Sequence, residues 1–572
     1  MTPALSIIDT LGPFFVENPD RRDINWSKVI FADLENGDRL DMATRRKIIE
    51  NFDIYVQRVA QLGYNSVSVD DLAHLVSFTF YDQNLQVLLR DYHGLYKKLF
   101  AIAKRHNMKI FVNTDYLFFN QSISDHLAET STSPDDFYTT VLTTALRDFP
   151  EIDGVILRVG ETDGTDVSGH FLSQLLLHTP QQAHRLIRKI LPLFEHTGKK
   201  LIFRTWTVGA YKIGDLLWNE KTYDTVFSSI TSDALIISMK YGDTDFMRHL
   251  KLNPLFMNSP HKKIVELQTR REWEGMGTFP SFVGWDYAKY LQELSDNPSV
   301  IGIHTWCQTG GWAKKAWTNL TFLPTSSFWN ELNTEVTIHI AHGMSPEDAV
   351  VAFCQQRSIT DTAAFIELLR QSDHAIKKGL YVHELAQKEF YFRRTRIPPL
   401  MWMTWDRVHL PAAVVHLHRI LISRPERFVA DGDEATQAVE KMISIAHDLH
   451  LPKTVIDSLD FEQATMAILA ELRRYIIQPL NAQQLDTLNQ QITDYQNNYP
   501  QHYSIPKLHT IQKKRIPRSL LSPFMRESSS YRKRDKIFLK TSPVQARMVR
   551  YYLRKSRSHL ADQSMGLETL FK

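Results

Sequence analysis

Between residues 25 and 325, short runs of β-branched and aliphatic residues alternate with longer stretches whose apolar positions recur every three or four residues. The runs are "KVIFADLENGD" (28–38), "GYNSVSVDD" (63–71), "MKIFVNTDY" (108–116), "DGVILRVGETDG" (153–164), "KKLIFRTWTVG" (199–209), "ALIISMKYGDTDF" (234–246), "KKIVELQTRREWEG" (262–275) and "SVIGIHTWCQ" (299–308). Aliphatic runs of this length read as buried parallel strands. The stretches between them, such as "RRKIIENFDIYVQRVAQL" (45–62) and "YHGLYKKLFAIAKRHN" (92–107), carry the period of amphipathic helices. Eight strands, each followed by a helix or a long loop, predict a (β/α)8 barrel over residues 25–334, with residues 1–24 as an N-terminal extension.

Every run turns polar at its C-terminal end. Asp33 and Glu35 follow the first, Asp70 and Asp71 the second, Asp115 the third, and Glu161 and Asp163 the fourth. Arg204 and Trp206 lie on the fifth, Lys240, Asp243 and Asp245 follow the sixth, Glu266, Glu272 and Glu274 the seventh, and His304 and Trp306 the eighth. In such barrels the active site sits where these ends converge. The pattern therefore predicts one mouth lined by carboxylates, a few cations and several indoles, with some polar residues serving only to end their strands.

Residues 335–480 keep a helical period and read as a helical domain packed on the barrel, with Ser345 placed as an N-cap before Glu347 and Asp348. Within them "EFYFRRTRIPPLMWMTWD" (389–406) is dense in aromatic residues and arginine, and Pro398 and Pro399 break it. It folds back over the mouth or forms a subunit contact. Residues 481–572 read as a linker and a basic tail. The last 66 residues carry 17 Lys and Arg against 4 Asp and Glu, so +13, which leaves −10 on residues 1–506. Such a tail attracts a polyanion or an anionic surface, or is a solvated extension.

At 43% hydrophobic and 23% charged the composition is that of a globular chain. Two cysteines, Cys307 and Cys354, exclude a disulfide framework. No run approaches about 18 apolar residues, and the first residues lack a basic segment ahead of an apolar one. The expectation is a cytoplasmic chain without a transmembrane segment.

Glycoside hydrolysis needs one protonated carboxyl for the leaving oxygen and one carboxylate to activate water or attack carbon. A mouth rich in acids, with Trp206, Trp285, Trp306 and Trp312 to stack on sugar faces, suits it. Acids alone would also suit a hard metal ion, but the chain shows no compact metal-ligand motif. The two His of "HLHR" (416–419) are two residues apart and point to different faces of a helix. The chemistry expected is an oligosaccharide substrate with no metal and no cofactor.

Two segments carry a family resemblance. "KYGDTDF" (240–246) is similar to the strand-six pattern K-N-G-x-x-D-F of the family 67 α-glucuronidases, through Lys240, Gly242, Asp245 and Phe246. "ELQTRREWEG" (266–275) resembles their strand-seven pattern E-[FL]-Q-x-x-x-E-Y-x-G, with Trp273 in place of tyrosine. "LIFRTWTVG" matches an arginine-aromatic cluster on strand five through Arg204. "LRVGETDG" resembles the strand-four context K-x-N-S-E-G only through Arg158 and Glu161. The chain departs from that family in lacking its N-terminal β-sandwich, in the strand-four motif and in the basic tail.

That family releases glucuronic or 4-O-methylglucuronic acid from short xylo-oligosaccharides. The resemblance covers about residues 25–480 and implies an inverting glycosidase. In it Glu161 is the general acid, Asp245 and Glu272 are the pair that activates water, and Arg204 and Lys240 hold the uronate carboxylate. Arg158, Trp206, Glu266, Trp285, His304 and Trp306 complete the expected binding set. Two alternatives stand beside it: a non-catalytic carbohydrate-binding or envelope-glycan assembly protein on the same barrel, and a hydrolase of a different acidic glycan. A homo-oligomer is compatible with each.

Overall fold

The computed structural model describes residues 3–18, 28–160, 169–207, 209–308, 320–324, 326–386, 389–392, 394–396, 403–404, 407–499 and 504–511, with positions 525, 526, 544 and 547. Eight parallel strands close into a barrel: β1 (Leu5–Asp9), β2 (Ser66–Val69), β3 (Lys109–Asp115), β4 (Gly154–Arg158), β5 (Lys200–Arg204), β6 (Leu235–Lys240), β7 (Lys263–Gln268) and β8 (Val300–Trp306). Neighbours in sequence are neighbours in the sheet, and β1 closes it between β8 and β2.

Seven of the strands stand where the apolar pattern puts them; the first does not. Barrel closure falls to "LSIID" at residues 5–9, inside the stretch read as an extension. Leu5 pairs with Gly302, and a Cβ on Gly302 would lie 1.9 Å from the Leu5 carbonyl oxygen, so the closing contact requires glycine there. The "KVIFADLENGD" run instead forms a 3-10 turn, Phe31–Leu34, and a small antiparallel hairpin of Glu35–Asn36 with Arg39–Leu40. Its two-residue turn, Gly37-Asp38 with Gly37 at φ +60°, is a hairpin signal that the aliphatic residues before it mask.

Alternation along the strands divides the barrel interior into two zones. Leu5, Ile7, Phe111, Ile156, Ile202, Ile236 and Ile264 form an apolar plug at the N-terminal end. Two or four residues further along the same inward faces come Asp9, Ser68, Asn113, Asp115, Arg158, Arg204, Ser238, Lys240, Glu266, His304 and Trp306. Dry packing below and polar groups above place any chemistry at the C-terminal end.

Outside, amphipathic helices such as Met42–Leu62, Gln83–Arg105 and Pro180–Thr197 cover the sheet. The helix after β8, Phe328–Ala341, is buried on nearly every side because further helices pack over it. Its Glu335 pairs with Arg58 at 2.8 Å and with Arg357 at 2.7 Å, which satisfies a carboxylate that would otherwise be stranded. The C-terminal region is helical through Pro346–Gln356, Thr362–Gly379, Pro425–Asp448, Lys453–Ile477 and Ala482–Asn498. Ser345 caps the first of these by accepting from the Asp348 N–H at 3.1 Å. Among the described residues no helix is long and apolar enough to cross a membrane.

Candidate active site

Three charge networks occupy the C-terminal end of the barrel. On the β2–β4 side, Arg158 Nε donates to Asp115 at 2.9 Å, and Lys28 Nζ lies 2.5 Å from the same carboxylate. Against the pull of burial, these two cations hold Asp115 down to about 2. Asp70 is 3.7 Å from Arg158, and burial pushes it up to about 6.

On the β5–β7 side, Arg204 grips Glu266 through two bonds of 3.0 and 2.7 Å, and Ser238 Oγ and Trp306 Nε1 donate to the same carboxylate at 2.7 and 3.2 Å. Burial raises Glu266, but Arg204 and Lys240 outweigh it and hold the group at about 2. The Arg204 guanidinium also lies 4.7 Å from the Trp306 ring centre.

The third network carries the two acids of the resemblance. Lys240 Nζ lies over the Trp206 ring at 3.5 Å and donates to Asp245 at 2.5 Å; Trp273 Nε1 donates to the other oxygen of Asp245 at 3.2 Å. Glu272 receives Arg270 at 2.7 and 3.2 Å, and its backbone N–H donates to Gln268 Oε1 at 3.1 Å. Burial raises the pKa of Glu272, and the charge on Asp245 raises it further against the pull of Arg270. Arg270 is itself anchored on the Gln308 carbonyl at 2.5 Å. The Gln308 and Cys307 backbone N–H groups in turn donate to Asp9 at 3.1 and 3.0 Å. Burial pushes Asp9 up to about 6.

Several inward-facing polar atoms have no hydrogen-bond partner among the described residues: both amide atoms of Asn113, Gln268 Nε2, His304 Nδ1, Thr207 Oγ1 and Asp70 Oδ1, the last in only a long ion pair with Arg158. The register that pairs Val69 with Val112 sets Asp70 beside Asn113. Buried polar groups without a bond cost free energy comparable to a lost hydrogen bond. A polyhydroxylated ligand or ordered water in the mouth would supply what these atoms lack.

The structure thus brings Arg158, Arg204, Trp206, Lys240, Asp245, Glu266, Glu272, His304 and Trp306 to one end of the barrel. His304 lies in the buried interior, donating to or accepting from Ser68 Oγ at 3.2 Å, with its ring centre 4.2 Å from that of Trp306 and tilted 34° to it, and burial keeps it neutral by lowering it to about 3. Glu161, Asp163 and Trp312 lie outside the described residues.

Two expectations need correction. Trp285 is not at the mouth: it sits on the helix Gly284–Leu294, packs edge-on against Phe282 and donates to Glu347 at 2.8 Å, an outer-layer contact. Glu274 is not at the mouth either. Arg248 and Arg271 hold it at 2.9 and 3.1 Å and keep it well below the usual carboxylate range, and Tyr381 of the helical region donates to it at 3.2 Å. Asn113, Gln268, Arg270 and Asp9 were not singled out by the sequence pattern. Asn113 and Gln268 were accessible through period two, since each lies two residues from an acid on the same inward face.

No protein-family model, of α-glucuronidases or any other, and no curated protein matches the chain. Some solved structures are similar to the chain over part of their length. A GH138 enzyme targeting pectin rhamnogalacturonan II is 10% identical over 87% of this chain and 62% of that one, with a TM-score of 0.49. The β-mannanase of the blue mussel Mytilus edulis is 14% identical over 56% of this chain and 92% of that one, at 0.31. A GH5_18 protein from Streptomyces cattleya, solved with GlcNAc, is 14% identical over 57% and 86%, at 0.33. The chain spans 62% of the length of the GH138 enzyme.

Proposed function

We propose that the chain is a glycoside hydrolase that cleaves an α-linked uronic acid from a small oligosaccharide at the mouth of the barrel. The observation that carries this reading is the pair Asp245 and Glu272: two carboxyls in one electrostatic unit, one ion-paired with Lys240 and the other raised by burial and by its neighbour. A carboxyl raised toward its protonated form beside an ion-paired carboxylate suits acid and base work on a glycoside. Indoles stand beside this pair: Trp273 bonds Asp245, and Trp206 lies under Lys240.

In the inverting scheme that the resemblance implies, Asp245 with Glu272 activates water, and Glu161 protonates the leaving oxygen. The raised pKa of Glu272 favours a second assignment, in which Glu272 is the proton donor and Asp245 alone is the base. The uronate carboxylate shares Lys240 with Asp245, since an ammonium has three N–H donors and a single bond to Asp245 uses one. Arg204, held in two bonds by Glu266, shapes this wall.

Lys240→Met tests the uronate reading. It keeps much of the aliphatic stem over Trp206 and removes the charge. Loss of a charge-assisted bond costs about 1.5 to 3 kcal/mol, so preference for a uronide over the matching neutral hexoside should fall roughly ten- to a hundred-and-fifty-fold. The check is kcat/KM on the paired substrates beside a melting curve. Equal losses on both sugars with a lowered Tm would make Lys240 only the counter-ion of Asp245.

A further inference from the structure

We infer that Asp9, at the C-terminal end of β1, is a positioning residue for Glu272, acting through Gln308 and the guanidinium of Arg270. The inference rests on the glycosidase reading above, which gives Glu272 its part in the reaction. Asp9 is fully buried, and three donors from the segment after β8 converge on it. The Cys307 N–H and thiol donate to one carboxylate oxygen at 3.0 Å each, and the Gln308 N–H donates to the other at 3.1 Å.

The Gln308 side chain is held as well. Its Nε2 donates to the Thr321 carbonyl at 3.0 Å, and its Oε1 accepts the Gly12 N–H. A Cβ at position 12 would lie 2.3 Å from that oxygen, so this approach requires glycine. Pinned at its N–H and its side chain, Gln308 presents its carbonyl to Arg270 Nη1 at 2.5 Å. The same guanidinium reaches Glu272 from Nε at 3.2 Å and from Nη2 at 2.7 Å. A guanidinium is planar and rigid, so fixing one edge sets the other. Arg270 and Glu272 are both buried, which leaves little solvent to screen the pair.

Loss of the Asp9 charge has two effects of opposite sign on Glu272. By field alone it lowers Glu272, because a like charge has gone. By freeing Gln308 it slackens Arg270, the cation that opposes burial at Glu272, and so raises it. The direction of the change separates positioning from a distant charge, and a purely structural role gives no change.

The test is a carbon-13 NMR titration of the full chain labelled at the glutamate carboxyl carbon, with the Glu272 signal identified by its loss in Glu272→Gln. Asp9→Asn should move that titration up by about one pH unit, the low end of what an adjacent cation supplies. Asp9→Ser sets no NH2 against the Gln308 N–H and should do the same, so it stands in where the amide does not fold. Tyr55→Phe is the control: it removes a 2.7 Å bond to the Asp9 carbonyl and keeps the three donors to the carboxylate, so Tm should fall while Glu272 stays. On 4-nitrophenyl α-glucuronide, Asp9→Asn should lower kcat about ten- to a hundred-fold with KM within a few-fold. A Glu272 signal that stays or moves down in the Asp9 variants, an equal upward move in Tyr55→Phe, or an unchanged kcat would overturn the inference. Failure of the glycosidase reading appears separately, as no sugar release by the wild-type chain while the Glu272 signal still moves up.

Discussion

Asp245→Asn is expected to lower kcat/KM about a hundred- to ten-thousand-fold, the span over which a positioned base acts. The amide has nearly the same volume, and its oxygen can still meet Lys240 while its NH2 replaces the oxygen that accepts from Trp273, so most of the loss falls on proton abstraction rather than on the fold. The size of the loss should not depend on the leaving group, because water must be activated in every case. Glu161→Gln should behave differently. Proton donation matters most for a poor leaving group, so a glucuronosyl xylo-oligosaccharide should suffer heavily and 4-nitrophenyl α-glucuronide should be largely spared. The two variants measured on both substrates separate base from acid. If Glu272→Gln, rather than Glu161→Gln, shows the leaving-group pattern, the proton donor is Glu272.

Arg248→Met should be the most destabilising single change at this end of the molecule. The guanidinium is fully buried and donates to Glu274 at 2.9 Å, Asp286 at 2.7 Å, Asp373 at 3.0 Å, and Ser281 Oγ and the Phe282 carbonyl at 2.9 Å each. Removing one partner of a buried pair leaves uncompensated charge and costs about 3 to 5 kcal/mol. Because Glu274 lies below its ordinary 4.5 in the folded chain, its stabilisation is present above that pH and is lost as pH falls below it. Thermal melts from pH 7 down to 3 should show the wild type losing stability with acid and the variant, already weakened, losing less. Glu272 lies two residues from Glu274, so the same network fixes the loop that carries it, and activity should fall with the fold.

The barrel was largely legible because buried parallel strands are short aliphatic runs with polar C-terminal ends, and seven of eight obey that rule. Leu5–Asp9 escaped because five residues near a chain end give little pattern, while Val29, Ile30 and Phe31 offered a stronger one to the eye. At the site, the residues at strand ends were found by position, whereas their partners were not. Whether Glu274 faces the mouth or Arg248 depends on how the chain turns after Gln268, and no periodicity encodes that turn. Trp285 misled for a similar reason: an indole near the start of a barrel helix lies close to the mouth in sequence, but its ring follows the helix face that meets Glu347. The pairing of Lys240 with Asp245, five residues on, was foreseeable only as one of two uses for a cation.

The glycosidase reading is tested most directly by proton NMR of the first product formed when the wild-type chain meets an α-glucuronosyl xylo-oligosaccharide. Appearance of β-glucuronic acid before mutarotation, abolished in Asp245→Asn, is the expected result. Release of the α-anomer first would contradict inversion, and no release of uronic acid from this substrate or from a panel of α- and β-uronides would contradict the assignment itself.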